Sequence, residues 1–448
     1  MLFSKILIAN RGEIAVRIIR ACREMGISTV AIYSEADKDA MHVQLADESY
    51  CVGGASVSES YLNVAAIVTL AVSTGCQAIH PGYGLLSENA KFVSLCEQCN
   101  IKFIGPTSKM IAMLGDKDIA RKTMREAGVP VTPGCDVVDN VETAKEKALK
   151  IGFPLLIKAR SGGGGRGIRL VNTIEEFENA FHSASTEALS AFGDGAVYME
   201  KFLKPVKHIE MQLLCDNYGN IVCFGERECS VQRKNQKLIE ESPSPAITPE
   251  MRKKMMEYAK KAALAVNYEN VGTVEFLLDK DNNIYFMEMN TRLQVEHGVT
   301  EMVTGHDLVQ WQIRVSVGAM LTLTQDRIFM HGHAIECRIN AENPDENFRP
   351  SCGKITKLHI PGGPFVRFDT AIYQDYSIPP YYDSMIGKLI VQARTRDYAI
   401  RKMKMALSEL NIHGIDHNRN FQIDILSDED FVNGTYTTDF MENFEKKK

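Results

Sequence analysis

Thr273-Val-Glu-Phe-Leu-Leu-Asp-Lys-Asp-Asn-Asn-Ile-Tyr-Phe-Met-Glu-Met-Asn-Thr-Arg-Leu-Gln-Val-Glu296 is the stretch whose reading decides the fold. Residues 273–278 and 284–290 are strand-like, and the turn formers Asp279-Lys-Asp-Asn-Asn283 between them predict a hairpin. A turn centred on Asp281-Asn282 sets Glu275 directly opposite Glu288. Like charges opposite one another destabilise a sheet. A divalent cation between them reverses the sign, and hard oxygen ligands suit magnesium, with manganese as the alternative. Asn290 lies two residues along, on the same face. The parity continues through Arg292, Gln294 and Glu296, while Met287, Met289, Leu293 and Val295 take the other side, with Thr291 as the break. A polar row therefore faces a site, and an apolar row a core, for as long as the chain stays extended. The plain alternative is a solvent-facing strand, which rarely carries carboxylate, amide and guanidinium in this order opposite another carboxylate.

Working outward, His333-Ala-Ile-Glu-Cys-Arg338-Ile-Asn340 is a second polar strand, with Glu336, Arg338 and Asn340 on one face. Arg338 suits a fixed cation for an anionic intermediate, and on spacing alone a structural ion pair is an equal reading. Upstream, Ser161-Gly-Gly-Gly-Gly165-Arg-Gly167 follows the strand-like Leu155-Leu-Ile-Lys158. Consecutive glycines bring backbone N–H groups close to a polyphosphate, and Lys158, Arg166 and Arg169 add charge. The Walker pattern is missing, and a strand at 168–171 follows, so the glycines form a hairpin flap over nucleotide. A merely mobile surface loop is the alternative.

The N-terminus predicts a parallel βαβ unit, with a strand at 4–9, a helix at 13–25 and a strand at 29–33. The first turn is Asn10-Arg-Gly-Glu13 and not GxGxxG, which removes the main support for a dinucleotide-binding dehydrogenase. The middle reads as α+β with hairpins. The end mixes short strands, at 334–340 and 354–359, with a helical pattern at 396–410.

At 448 residues the chain is long enough for two or three domains. No apolar run approaches the ~20 residues of a membrane-spanning helix. The net charge of −6 and the lack of a basic block argue against nucleic acid. The first residues enter a strand directly and lack a signal-peptide pattern, and eleven scattered cysteines fit reduced thiols, so a cytoplasmic protein is expected. Cys96-Glu-Gln-Cys99 has no partner pair at zinc-site distance and falls in a helical pattern.

Several segments together resemble biotin carboxylase. They are Ile8-Ala-Asn-Arg-Gly-Glu-Ile14, His80-Pro-Gly-Tyr-Gly84 with Leu86-Ser-Glu88, Phe103-Ile-Gly-Pro106, Gly115-Asp-Lys117 and Glu288-Met-Asn-Thr-Arg-Leu-Gln-Val-Glu-His297. Glu336-Cys-Arg-Ile-Asn-Ala-Glu342 and Pro380-Tyr-Tyr-Asp-Ser-Met-Ile-Gly-Lys-Leu389 complete the set, so the likeness spans nearly the whole chain. The resemblance implies an α/β and α+β protein in three parts. These are an N-terminal parallel βαβ domain over 1–114, an ATP-grasp domain over 115–325 with a mobile glycine-loop lid at about 131–203, and a C-terminal mixed α+β domain over 331–440. It also implies the activity: ATP- and bicarbonate-dependent carboxylation of biotin carried on a separate protein.

By resemblance, Lys117, Lys158 and the glycines Gly163, Gly164 and Gly165 would hold ATP phosphates. Glu200, Lys201 and Leu203 would frame adenine, with His208, Gln232 and Leu277 along the nucleotide. Glu275, Glu288 and Asn290 would bind the metal, and Lys237, Arg292, Gln294 and Val295 would hold bicarbonate. Glu296 would be the base, and Arg338 with Tyr83 would meet biotin. A biotin carboxyl carrier protein and carboxyltransferase subunits are the implied partners. A homodimer is also implied, with Arg17, Arg20 and Glu24 as interface candidates and Pro364 and Phe365 on the other side of that interface. Acetyl-CoA carboxylase, and with it fatty acid biosynthesis, is the first expectation for the final acceptor, with pyruvate or propionyl-CoA carboxylase as alternatives.

The chain departs from the family pattern at several points. Asn235 stands where His is usual, Gly298 where Pro is usual (which would loosen the loop beside the base), Leu85 for Phe and Asp375 for Gly, and Arg160-Ser161 replace smaller residues. Met403-Lys-Met405 matches a biotin-attachment tripeptide, but it falls in a helical pattern and not on a hairpin tip. Two rivals remain: a carbamoyl-phosphate-synthetase half, and a degenerate nucleotide-binding subunit.

Overall fold

The structure is a computed structural model and describes residues 2–138, 140–160 and 167–447. The predicted phosphate glycines Gly163, Gly164 and Gly165, together with Arg166, lie outside the described residues.

Among the described residues, three larger sheets organise the fold. The first is wholly parallel, and its spatial order is Glu48–Gly53, Ser28–Ser34, Lys5–Ile8, Ala78–His80, Lys102–Phe103. Ile6, Leu7 and Ile8 are fully buried on both sides of the central strand, which is why this strand reads as an apolar run without alternation. The helix Gly12–Glu24 returns over the sheet and lays Ile14, Ile18 and Cys22 in the core, at the four-residue spacing of one helix face. Glu48–Gly53 is only partly buried and was not legible as a strand, because its sequence lacks an apolar row.

The second sheet carries the site. Its eight strands run Ile284–Asn290, Asn270–Asp279, Val206–Cys215, Ile221–Arg233, Gln236–Ser242, His333–Asn340, Met385–Ala393 and Val366–Thr370 in space, all antiparallel. Strands from both sides of the 325/331 division thus hydrogen-bond in one sheet. The third sheet has four antiparallel strands, Gly134–Val138, Val197–Lys201, Leu155–Ala159 and Ile168–Val171, backed by helices Val141–Ile151 and Ile174–Phe192.

The predicted single strand at 354–359 is split. Gly353–Lys354 pairs with Ser377–Ile378, and Lys357–His359 pairs with Asn411–His413. Met403-Lys-Met405 lies within the helix Arg396–Glu409, with Met403 buried in the core, so it is not a carrier hairpin. All eleven cysteines are free. Among the described residues, no helix is long and apolar enough to cross a membrane.

Candidate active site

The hairpin forms over Asn270–Asp279 and Ile284–Asn290, and Glu275 does face Glu288. The route differs from the simple turn. Near the loop, Leu278 pairs with Ile284 and Phe276 with Phe286, a register that would not oppose the two glutamates. An irregularity between Glu275 and Phe276 inserts one residue on the second strand and restores the pairing. The next strand adds a third carboxylate, because Glu210 lies opposite Glu275. Glu288, Glu275 and Glu210 therefore stand in one row across three strands.

Cations answer this row. Lys237 Nζ donates to Glu210 Oε2 at 2.8 Å, Glu275 Oε1 at 3.2 Å and Glu296 Oε1 at 2.5 Å. Arg227, fully buried, donates to Glu210. His208 Nε2 lies 3.0 Å from Glu275 Oε2, and its Nδ1 meets Gln232 Nε2 at 2.8 Å. Lys117 Nζ is 3.5 Å from Glu288 Oε2.

The chain leaves the strand at Asn290, yet the row of alternate polar residues still converges on the site. Arg292 donates to Asn290 Oδ1 at 3.2 Å, to Gln294 Oε1 at 2.7 Å and to Glu88 Oε2 at 2.9 Å. Gln294 Nε2 donates to Glu275 Oε1 at 3.0 Å. Arg338 grips Glu240 Oε1 with Nε at 2.6 Å and Glu296 Oε2 with Nη2 at 2.9 Å. Glu296 is thus held by Lys237 on one oxygen and Arg338 on the other.

Burial pushes the Glu296 carboxyl up, but Lys237, Arg338 and Arg227 outweigh it and hold it well below the usual carboxylate range. Glu275 is likewise held low, since Lys237 and His208 overcome its burial. Burial alone would lower Lys237, but Glu210, Glu275 and Glu296 keep it firmly protonated.

In the third sheet, Glu200 is clamped by Arg121 and by Lys158 Nζ at 2.5 Å, and these cations outweigh burial and lower its carboxyl. Lys201 Nζ donates to the Phe153 carbonyl at 2.8 Å. Leu203 follows that strand, and Leu277 pairs in register with His208. Tyr83 donates its hydroxyl to Glu13. Arg17, which the resemblance offers for a dimer interface, is largely buried within the chain, 2.9 Å from Glu301 and 2.8 Å from Asp307.

Glu275, Glu288 and Asn290 present hard oxygen donors on one face, which fits a magnesium-like ion. The Asn290 amide nitrogen is buried without a partner among the described residues, while its oxygen accepts from Arg292. His208, Glu210 and Glu275 also bring ligand atoms together.

Sequence reasoning missed Glu210, Arg227, Glu240, Glu88 and Arg121. For Glu210 the signal was present, because His208, Glu210 and Gln212 alternate along one strand. The others needed tertiary contacts.

Comparison with known proteins agrees along the whole chain. Three family models match consecutive stretches: the biotin carboxylase N-terminal domain at 2–111, the carbamoyl-phosphate synthase L chain ATP binding domain at 116–324 and the biotin carboxylase C-terminal domain at 336–443. Biotin carboxylase 1 of Bacillus subtilis is 55% identical over 446 residues, 99% of each chain. The chain belongs to the biotin carboxylase family. Two solved structures share its fold closely. One is the biotin carboxylase domain dimer of Hydrogenobacter thermophilus 2-oxoglutarate carboxylase, in complex with MgADP, ADP and bicarbonate. Its TM-score is 0.96 at 48% identity, covering 99% of this chain and 98% of that one. The other is the Campylobacter jejuni biotin carboxylase, with a TM-score of 0.96 at 50% identity, covering 98% and 99%.

Three of the departures from the family pattern sit in defined local geometry. Lys234 and Asn235 form a two-residue turn between paired Arg233 and Gln236, both at positive φ (49° and 64°), a conformation asparagine tolerates well. Asp375, where glycine is usual, also has positive φ (71°) and ties down to Lys354 at 2.8 Å. Gly298 does not loosen a loop. It opens the buried helix His297–Thr304, and a Cβ there would sit 2.3 Å from Ile390 Cδ1 and 3.0 Å from Glu336 Oε2.

Proposed function

We propose that this protein carboxylates biotin on a separate carrier protein, using ATP and bicarbonate, as the first half-reaction of a multisubunit carboxylase. The observation that carries the reading is Glu296, ionised between Lys237 and Arg338 and flanked by Gln294 and Arg292. Lys237, Arg292, Gln294 and Val295 would hold bicarbonate beside the Glu296 base. As the anion enters, Lys237 turns part of its charge toward it, and Glu296 becomes a better proton acceptor.

The deprotonated bicarbonate oxygen attacks the γ-phosphorus, and ADP leaves. Lys117, Lys158 and the glycines Gly163, Gly164 and Gly165 spread the charge that develops on the phosphates. Carboxyphosphate then breaks into CO2 and phosphate. The phosphate takes the N1 proton of biotin, and the resulting enolate, held by Arg338 beside Tyr83, captures CO2. Glu200, Lys201, Leu203, His208, Gln232 and Leu277 would line the nucleotide. Glu275, Glu288 and Asn290 would hold magnesium or manganese, which supplies positive charge at the phosphate oxygens.

The partners in this reading are a biotin carboxyl carrier and carboxyltransferase subunits, and the enzyme is a cytoplasmic homodimer. Arg20 is exposed, and Glu24 accepts from Gln310 at 2.9 Å on the same side of the first helix. Acetyl-CoA carboxylase is the proposed parent assembly, with pyruvate and propionyl-CoA systems as the alternatives.

Phosphate release from ATP with magnesium and bicarbonate, with and without free biotin, tests the reading. Biotin-stimulated release in the wild type that collapses in Glu296→Ala is the expected result. Nucleotide binding with no bicarbonate-dependent release, even with a biotinylated carrier added, sinks it.

A further inference from the structure

Resting on the function proposed above, we infer that Lys388 is a positioning residue that ties the peptide before Glu296 to the N-terminal Glu13–Tyr83 pair. Lys388 sits on the strand Met385–Ala393, and its side chain is fully buried. A buried ammonium is costly unless paired, and an apolar chain of the same length would fill the space without that cost. Its partners come from two distant segments. Nζ donates to the Val295 carbonyl at 2.7 Å and lies 3.3 Å from Glu13 Oε1. Glu13 in turn accepts the Tyr83 hydroxyl, and the Lys388 ammonium stands 5.9 Å from the Tyr83 ring centre.

The geometry acts on both proposed substrates. The Val295 carbonyl belongs to the planar peptide that carries the Glu296 nitrogen. Fixing that oxygen fixes the backbone of the base, while Lys237 and Arg338 fix its carboxylate. On the other side, Glu13 sets the direction of the Tyr83 hydroxyl. Without Lys388, the base-bearing peptide and the proposed biotin contact lose their common anchor.

The position is otherwise unfavourable for a cation, because Lys388 lies directly opposite Arg338 in register. Three carboxyls, Glu13, Glu336 and Asp369, compensate. Burial pushes the ammonium down, and their combined effect brings it back above its usual value. Asp369 is itself shared with Arg367 at 2.6 Å.

The test uses Lys388→Met and the charge-compensated Lys388→Met/Glu13→Gln in the full chain. The measurements are thermal unfolding, ATP binding, and bicarbonate-dependent phosphate release with and without biotin. In the double variant the expected result is retained cooperative unfolding and ATP affinity, with KM for bicarbonate raised about tenfold or more and biotin stimulation reduced. Wild-type KM for bicarbonate and wild-type biotin stimulation in the double variant overturn the inference. So does a double variant that no longer folds or binds ATP, which makes Lys388 a structural residue only. A wild type without bicarbonate-dependent release overturns the function itself, a result distinct from either of these.

Discussion

Two sets of facing carboxylates cross the same eight-stranded sheet, and the protein treats them in opposite ways. In the first, Glu288, Glu275 and Glu210 stand in register, open at one end, where the Glu288 side chain is 38% exposed. Lys237, His208, Arg227 and Lys117 surround this row, and Glu275 stays ionised. In the second, Glu240 lies directly opposite Glu336, and both are fully buried. Arg338 takes one oxygen of Glu240. Neither oxygen of Glu336 has a hydrogen-bond partner among the described residues. Burial pushes Glu336 well above the usual carboxylate range, and Lys388 and Arg338 do not offset it. The same residue type at the same relative position is therefore held below its usual ionisation range in one place and pushed above it in the other. Placement of cations, and not the carboxylate itself, makes the difference.

The largest test of this contrast is Lys237→Met. It leaves three buried carboxylates without their shared cation, so a loss of about 3–5 kcal/mol in urea-unfolding free energy is expected at neutral pH. A loss under about 1 kcal/mol would mean that the row relaxes by taking up protons, and the distinction between the two sets would vanish. Next in size is Glu288→Gln. It removes one proposed metal ligand at the exposed end, and bicarbonate-dependent phosphate release should drop on the order of a hundredfold at fixed magnesium. Stability should change little, because Glu288 is the accessible member of its row. Unchanged turnover across a magnesium titration would remove Glu288 from the metal site.

The smallest effect has the clearest sign. Glu336 is protonated in the folded protein above the pH at which it ionises in the unfolded chain. The folded state binds the extra proton, so this group lowers stability as pH rises through the usual glutamate value of 4.5 toward the folded value. Glu336→Gln should match wild type near pH 4 and gain about 1 kcal/mol or more by pH 8. Glu275→Gln should do the reverse, because the native Glu275 pKa is depressed. Its contribution is present above 4.5 and fades as pH falls below that value. Thermal midpoints of Glu336→Gln across about pH 4–8 and of Glu275→Gln across about pH 2.5–6 decide the matter, and curves parallel to wild type in those windows would refute it.

How much was legible follows from sequence separation. Glu275 and Glu288 are joined by a five-residue turn segment, so alternation and turn chemistry were enough to oppose them. Even there, the correct pairing depended on a bulge that the sequence reading did not anticipate. Glu240 and Glu336 belong to strands nearly a hundred residues apart, and nothing local links them. The same holds for Lys388 and Val295, and for Arg17 and Glu301, which pair across nearly three hundred residues.

The sequence by itself determined the parallel N-terminal unit, the hairpin that opposes Glu275 and Glu288, the polar face of Arg338 and the absence of a dinucleotide fingerprint. Each of these is written in periods of two or four residues and in turn chemistry. Only the tertiary structure decided which cation each carboxylate meets, and therefore which acids stay charged. It also decided that one sheet joins the ATP-grasp strands to those of the C-terminal part. The physical reason is that protonation depends on every charge within a few ångströms in space, and the chain brings those charges together from segments that carry no local signal of one another.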